Sequence, residues 1–251
     1  MNYDYILAEV CGSKTLLVTS RVKKDRRIEA AAELTVAVPD AEGIGFLMLP
    51  CRGGDYRVET AGDEWNANVA LAAASYYAAG HGVGKVRMEV SGCDDFITVD
   101  LDGDVAAAEL PLPYMREKSE FSGIEGTDLV FDGIAETVVP TAEQFPSGKM
   151  RFFLISRTAR YHVPAAGLVL VNAEENKVTS AVYVEKTDHL CTETVSATAA
   201  AAVVYNQLAA GDEAELTFAP EAPEGVISAT ALREDHEITK ITVKAKITIT
   251  E

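Results

Sequence analysis

Two alanine-rich stretches dominate this sequence and decide its expected fold. The first reads Trp65-Asn66-Ala67-Asn68-Val69-Ala70-Leu71-Ala72-Ala73-Ala74 and continues to Gly80. The second begins at Glu193-Thr194-Val195-Ser196-Ala197-Thr198 and runs through further alanines to Gly211. A helix on a protein surface carries a polar stripe, and neither stretch has one. Both are therefore predicted to be central helices that pack closely against sheet on all sides.

Strand patterns precede and follow each predicted helix. Short apolar runs bounded by glycine and aspartate turns indicate strands. The last run, from Ile238 to Thr250, alternates apolar and polar residues almost without a break, which is typical of a strand with one buried face. Pro111-Leu112-Pro113 interrupts regular structure and marks a boundary just beyond it. We expect an α+β protein with two pseudo-symmetric halves, residues 1–116 and 117–251, produced by internal duplication. Each half is a curled, mostly antiparallel sheet around its alanine-rich helix, and the final strand can return to the first half.

Three further segments have less regular patterns. A helix is expected near Ile28 to Leu34, and a strand is expected from Arg151 to Ile155. A local polar cluster follows and is interpreted as a solvated loop, although it could meet a carboxylate. It consists of Arg157, Arg160, Tyr161 and His162.

Composition excludes several classes of partner. The chain has 251 residues, 48% of them hydrophobic, which is enough to bury a sizeable core. Its net charge of −17 would repel nucleic acid and anionic membrane surfaces. No apolar run approaches the length of a membrane span, and the first residues lack the pattern of a secretory signal. We expect a cytoplasmic protein. The four scattered cysteines include no CxxC pair, so each is expected to be a buried apolar residue.

Three segments carry a resemblance to a known family. They are Val10-Cys11-Gly12-Ser13-Lys14-Thr15-Leu16, Phe131-Asp132-Gly133-Ile134-Ala135-Glu136-Thr137-Val138-Val139, and Val182 to His189 leading into Glu193-Thr194. With the two helices, they resemble the diaminopimelate epimerase superfamily of cofactor-independent isomerases over nearly the whole chain. The third segment is most similar to the histidine racemase branch that contributes to metal-chelating opines. The resemblance implies no pyridoxal phosphate and no other cofactor.

The resemblance also implies a chemistry for the two helix starts. In the family, two cysteines face each other across the substrate, and each sits at a helix N-terminus that favours the thiolate. Backbone amides at the same starts hold the substrate carboxylate. In this sequence the cysteine positions fall on Asn66 and on Ser196, or on Ala197 if the alignment shifts by one residue. An amide has no usable acid or base form, and an unassisted serine is too weak a base. The cleft is therefore expected to lack sulfur.

The remaining site residues are also implied by the resemblance. Asn68 matches a family asparagine, and Glu193 matches the glutamate that binds the substrate ammonium; alternatively, both only cap their helices. Glu136 stands where the family has a histidine. The predicted ligand site is completed by Thr194, Ala197 and Thr198.

One sequence spacing offers a different kind of site. His189, Cys191 and Glu193 are two residues apart, so on a strand they share a face and could form a metal site or a displaced Cys/His pair. Chance spacing is the alternative that we prefer, and no metal is expected.

Two functions are compatible with these observations. In the first, the chain is an inactive or repurposed homologue that binds an amino acid or small carboxylate, or supports an active partner. In the second, it is a working isomerase that uses Glu136, Cys191 or Glu193 as base. Edge pairing of the final strand leaves a homodimer possible.

Overall fold

The computed structural model describes residues 3–250 as a mixed α/β fold with many strands and few helices. The ten-stranded sheet contains β1 (Tyr5–Val10), β2 (Ser13–Val18), β3 (Ala41–Met48), β4 (Tyr56–Thr60), β5 (Lys85–Val90), β6 (Ile97–Asp102), β7 (Val105–Glu109), β14 (Ala214–Phe218), β17 (Ser228–Glu234) and β18 (Glu237–Thr250). The six-stranded sheet contains β8 (Met115–Phe121), β9 (Ile124–Phe131), β10 (Ile134–Pro140), β11 (Ala165–Asn172), β12 (Lys177–Val184) and β13 (His189–Cys191). A small hairpin consists of β15 (Glu221–Ala222) and β16 (Gly225–Val226). The α-helices are α1 (Arg27–Ala37), α2 (Ala67–His81), α3 (Ser147–Tyr161) and α4 (Thr194–Leu208).

Eight strands of the larger sheet close into a barrel around α2. They follow the order β1-β2-β3-β4-β5-β6-β7-β18, and the antiparallel pairing of β1 with β18 closes the ring. Helix α2 contacts each of these eight strands. Its side chains that face the strands are mostly alanines. Ala70, Ala72, Ala73 and Ala74 are buried, and their small size allows the strands to approach closely. The helix has no polar face because every side of it is covered.

Strand β18 is long enough to leave the barrel and join a second layer. It pairs with β7 and β1 inside the ring, and its first part also pairs with β17. Helix α4 packs between this extension, formed by β14, β17 and β18, and the strands β10, β11 and β12 of the six-stranded sheet. The two alanine-rich helices also contact each other. Their N-terminal ends are thereby brought together.

The expected strand from Arg151 to Ile155 is wrong, because this segment belongs to helix α3. The apolar run Phe152-Phe153-Leu154-Ile155 suits either element, but only Leu154 within it is fully buried, whereas Phe152 is 80% exposed. Leu154 and Thr158 are the buried residues of the helix, and their spacing of four is helical. The polar cluster expected in a loop therefore lies at the end of α3. There, the Tyr161 hydroxyl lies within hydrogen-bond distance of the carboxyl groups of Asp128 and Glu117 and can donate its proton to one of them at a time.

The expected helix near Ile28 to Leu34 is confirmed by α1, which covers the outer side of β2 and β3.

Strand β8 was not expected, because its sequence Met115-Arg116-Glu117-Lys118-Ser119-Glu120-Phe121 is mostly charged. It forms the edge of the six-stranded sheet, where charged residues are tolerated. Between residues 3 and 250, no helix combines the length and the hydrophobicity that a membrane span needs.

Candidate ligand-binding site

The starts of α2 and α4 are capped by side chains of the protein. Asn66 is the N-cap of α2, and its side chain accepts a hydrogen bond of 2.9 Å from the amide of Val69. Glu193 is the N-cap of α4, and its carboxylate accepts a bond of 2.8 Å from the amide of Ser196. Both caps satisfy donors that a helix end leaves free. The alternative that Asn68 and Glu193 cap their helices therefore holds for Glu193, whereas the cap of α2 is Asn66 and not Asn68.

The two helix starts also bond to each other. The amide of Asn68 donates to Oε1 of Glu193 over 3.2 Å, and the amide of Val195 donates to Oδ1 of Asn68 over 3.3 Å. Asn68 is 2% exposed and Glu193 is 1% exposed. Four amides at the two starts, those of Asn68, Val69, Val195 and Ser196, are thus bonded to protein side chains.

Ser196 joins two buried carboxyl groups. Its hydroxyl lies 2.9 Å from Oε1 of Glu136 and also contacts the carboxyl of Glu193. Glu136 is 0% exposed, and its Oε2 has no hydrogen-bond partner in the described chain. Burial, and then the charge of Glu193, raises the pKa of Glu136 to about 8, although the Ser196 hydroxyl opposes this shift. Burial also raises the pKa of Glu193. The pair therefore retains a proton near neutral pH.

A small apolar space lies beside Ser196. It measures about 10 Å³, roughly the room that one water needs. Trp65, Phe131 and Ile134 are among its walls. Trp65 is both a core residue and a cover over this space. Ser196 lines this space and does not line the larger cavity described next.

A cavity of about 310 Å³ opens next to the start of α2. Its size is at the lower end of the range for small-molecule sites. One wall is helix α1, and a second is the beginning of β3. The residues on the opposite side come from the second part of the chain and include Val184, Thr187, His189 and Cys191. Glu64 and Asn66, just before α2, complete the lining.

The cavity is acidic and contains a thiol. Glu42 and Glu64 line it, and among the described lining residues none is Lys or Arg. Oε2 of Glu64 is buried without a partner, and burial raises the pKa of this carboxyl. Cys191 also lines the cavity. The absence of sulfur was expected for the crevice between the two helix starts, and it stays a prediction for that crevice. Burial, and then the charges of Glu64 and other nearby carboxylates, raises the pKa of this thiol.

The other residues of the His/Cys/Glu spacing occupy different environments. His189 and Cys191 line the cavity together, as their alternation on β13 predicts, whereas Glu193 points between the helix starts. Burial, and then the charge of Arg151, lowers the pKa of His189. Within residues 3–250, no three His, Cys, Asp or Glu side chains are arranged to hold a metal ion.

The predicted ligand residues separate into two groups. Asn66 lines the cavity. A buried group does not line it and consists of Asn68, Glu136, Glu193, Ser196, Ala197 and Thr198. Thr194 is half-buried, and its hydroxyl has no partner in the described chain.

Sequence reasoning missed Glu42 and the wall formed by α1. Glu42 reaches the cavity because β2 and β3 pair in parallel, and that register leaves no local signal in the sequence. Its carboxylate accepts from Ser13, whose hydroxyl accepts from Asn68 over 3.1 Å. Glu64 could have been found, because it directly precedes Trp65-Asn66 at the start of the first alanine-rich stretch.

The family model described as histidine racemase CntK N-terminal domain matches residues 4–251. The chain belongs to this family. The resemblance to the racemase and epimerase fold is thereby confirmed.

Solved structures of that fold are similar over almost their whole length. A phenazine biosynthesis protein of the PhzF family from Bacillus anthracis has a TM-score of 0.63 at 10% identity, covering 100% of this chain and 98% of that one. An epimerase predicted for Pseudomonas aeruginosa has a TM-score of 0.63 at 12% identity, with coverage of 98% and 96%. A hydroxyproline epimerase from Agrobacterium vitis has a TM-score of 0.61 at 7% identity, with coverage of 99% and 91%. A comparison with curated protein sequences finds no match. These likenesses show the fold.

Proposed function

We propose that this chain binds an amino acid or a related small amine in the acid-lined cavity, and that it does not racemise by a two-thiol mechanism. The observation that carries this proposal is the position of the Glu193 carboxylate. It lies between the starts of α2 and α4 and accepts from the amides of Asn68 and Ser196. In the resembling isomerases, such amides hold the substrate carboxylate.

An internal carboxylate at this place competes with any substrate carboxylate. A ligand that used the same amides would have to displace Glu193 and leave buried donors or a buried charge unpaired, which costs several kcal/mol. Asn68 accepts from Val195 in return, so displacement would disturb both helix starts. This arrangement favours a ligand that sits elsewhere.

The cavity offers chemistry that suits an amine. Glu42 and Glu64 are acidic, and an ammonium group within hydrogen-bond reach of a partly desolvated carboxylate gains a charge-assisted bond. Oε2 of Glu64 has no partner in the described chain and can accept a hydrogen bond from the ammonium group of a ligand. The hydroxyproline epimerase structure of the same fold holds trans-4-hydroxy-L-proline, which is an amine-bearing ligand.

The thiol of Cys191 is a poor base for α-carbon chemistry. The two-thiol mechanism of racemisation needs a thiolate that is stabilised by a helix N-terminus. Cys191 instead lies on β13 among carboxylates, and burial raises its pKa. At the positions of the family cysteines stand Asn66 and Ser196 or Ala197, which supports loss of two-base racemisation.

The division into residues 1–116 and 117–251, and the internal duplication behind it, stay predictions. The barrel around α2 and the two sheet layers around α4 support them. The pairing of β18 with β1 and β7 supports the return of the final strand. A homodimer stays a prediction as well.

Two measurements test the proposed function together. The protein is incubated in heavy water with a panel of L- and D-amino acids, and α-deuteration is followed by mass spectrometry. Thermal unfolding is recorded with the same panel. We expect no deuteration and a higher Tm with at least one member. The gain in Tm should be lost in Glu64→Gln and kept in Glu33→Gln, which removes an exposed acid of α1 outside the cavity. Absence of any Tm gain would contradict ligand binding.

One observation favours a working isomerase as the second candidate. Ser196 stands at a family cysteine position and bonds to Glu136, whose pKa of about 8 suits a general base. The pair is buried and does not line the larger cavity, which is why we rank this function second. Deuteration of an amino acid that disappears in Glu136→Gln would establish this function instead.

A further inference from the structure

The beginning of β3 presents an open sheet edge to the cavity. Strand β4 pairs with β3 only from Gly45 onwards, where Gly45 lies opposite Thr60. Of the preceding residues 41–44, Ala41, Gly43 and Ile44 pair with β2, with a register shift at Glu42, and within the described chain none of the four pairs with a strand on the other side. All four of these consecutive residues line the cavity. Gly43 has no side chain, so the cavity meets the backbone of the strand at this position.

A polar atom without a partner lies at the same place. It is Oε2 of Glu64, a residue that lines the cavity. An open strand edge with unpaired polar groups is a template for another extended backbone. The cavity is thus suited to a ligand that carries peptide groups.

The charge of the lining restricts the ligand further. A free amino acid brings a carboxylate as well as an ammonium group. The described lining contains the acids Glu42 and Glu64 and no Lys or Arg, and burial lowers the pKa of its histidine, His189. A free carboxylate would therefore face like charge without a strong cation as partner. When the carboxyl group is masked as an amide, the repulsion disappears and the amide can pair with the open edge.

We propose that the cavity takes the N-terminal end of a short peptide, or an amino acid whose carboxyl group is an amide, in preference to a free amino acid. The α-ammonium group bonds to Glu42 and Glu64, and the first peptide group pairs with the backbone groups of residues 42–44 that point away from β2. This inference rests on the proposed function and names the ligand class of the same site.

Helix α1 supplies the surface for the first side chain of the ligand. Ile28, Ala31 and Val36 line the cavity from this helix, and Ile28 and Val36 are exposed although they are apolar. A first residue such as leucine would cover them and remove apolar area from water. The volume of about 310 Å³ limits the buried part to a few residues at most.

A matched series of leucine compounds tests this inference by isothermal titration calorimetry. The probes are L-leucine, L-leucinamide, L-leucyl-glycinamide and N-acetyl-L-leucinamide. We expect leucinamide and leucyl-glycinamide to bind at least about tenfold more tightly than leucine, which corresponds to about 1.4 kcal/mol. The acetylated compound, which lacks the ammonium group, should not bind. Glu42→Gln and Glu64→Gln should each weaken leucinamide binding, whereas Glu33→Gln should not.

A second readout locates the ligand on the strand edge. With saturating leucyl-glycinamide, amide hydrogen exchange within residues 42–44 of β3 should slow, while exchange in β15 and β16 should not change. Equal or tighter binding of free leucine overturns the inference but leaves the proposed function standing. Binding of leucinamide without protection at β3 also overturns it. If neither leucine nor any amino acid of the earlier panel binds, and the amides do not bind either, both proposals fail.

Discussion

The backbone amide of Asn68 donates a hydrogen bond of 3.2 Å to the side chain of Glu193, across 125 positions of sequence. Asn68 returns the contact by accepting from Val195 at the start of α4. The two alanine-rich helices are therefore joined end to end by polar bonds as well as by packing. We therefore expect a substitution of Glu193 to destabilise the starts of both helices.

Replacement of Glu193 tests this joint. Glu193→Ala removes the acceptor for the amides of Asn68 and Ser196, which are buried. Loss of a helix cap and of buried bonds should lower the free energy of unfolding by about 2–4 kcal/mol at pH 5, and Tm by roughly 5–15 °C. Glu193→Gln keeps an acceptor oxygen and should lose less than half as much. Denaturant unfolding measures both, with the exposed Glu174→Ala as control; equal stability of all three would contradict the assigned bonds.

The stability of the protein should depend on pH through Glu136. Its pKa is about 8 in the folded chain against 4.5 as the ordinary value. Below pH 4.5 both states hold the proton and there is no penalty. Between pH 4.5 and 8 the unfolded state is ionised while the folded state is not, so the free energy of unfolding falls as pH rises. Glu136→Gln should flatten this fall and gain stability at pH 8. Urea unfolding from pH 4 to 9 tests it, and the exposed Glu175→Gln should follow the wild-type profile.

Gly167 should be coupled to Glu136 in a double-mutant cycle. A Cβ on Gly167 would overlap the carboxyl group of Glu136, so Gly167→Ala is expected to cost about 1–3 kcal/mol by overpacking. In the Glu136→Ala background the same change should cost almost nothing, which leaves a coupling energy of similar size. Gly148→Ala, in α3 with open space around it, is the control and should stabilise slightly. Additive effects at Gly167 and Glu136 would show that the two do not touch.

The cysteines should differ in reactivity towards iodoacetamide. Cys51 is exposed and should be labelled first at pH 7.5. Cys191 should react at least about tenfold more slowly, because its raised pKa leaves little thiolate. Peptide mapping by mass spectrometry gives both rates. Saturating leucinamide should slow Cys191 and leave Cys51 unchanged, since only Cys191 lines the 310 Å³ cavity. Rapid labelling of Cys191 would contradict the raised pKa and would support Cys191 as a catalytic base.

The sequence predicts the central helices well and the site only in part. A helix without a polar stripe has few alternatives to a position inside sheet, and α2 and α4 follow that rule. Helix α3 was not predicted because Phe152 and Ile155 are apolar yet exposed. These two residues obscure the helical spacing of its buried residues. The cavity was not predicted either. The pairing register of β2 and β3 places Glu42 in its lining, and that register has no local pattern in the sequence.

The resemblance gave the helix starts but not their bonding. It placed Asn68 and Glu193 near each other, and they are in contact. That the Glu193 carboxylate turns inward, while Glu64 and Cys191 face the open space, depends on packing that sequence patterns do not encode.

Strand β18 has a consequence for the order of folding during synthesis. The first barrel is closed by β18, which pairs with β1 and β7 although it is translated long after both. Until β18 leaves the ribosome, β1 and β7 expose unpaired edges, and α2 is enclosed on only part of its circumference. Nascent chains should therefore expose apolar barrel surface until β18 has been translated, and we expect chaperones that shield such surface to bind them before that point.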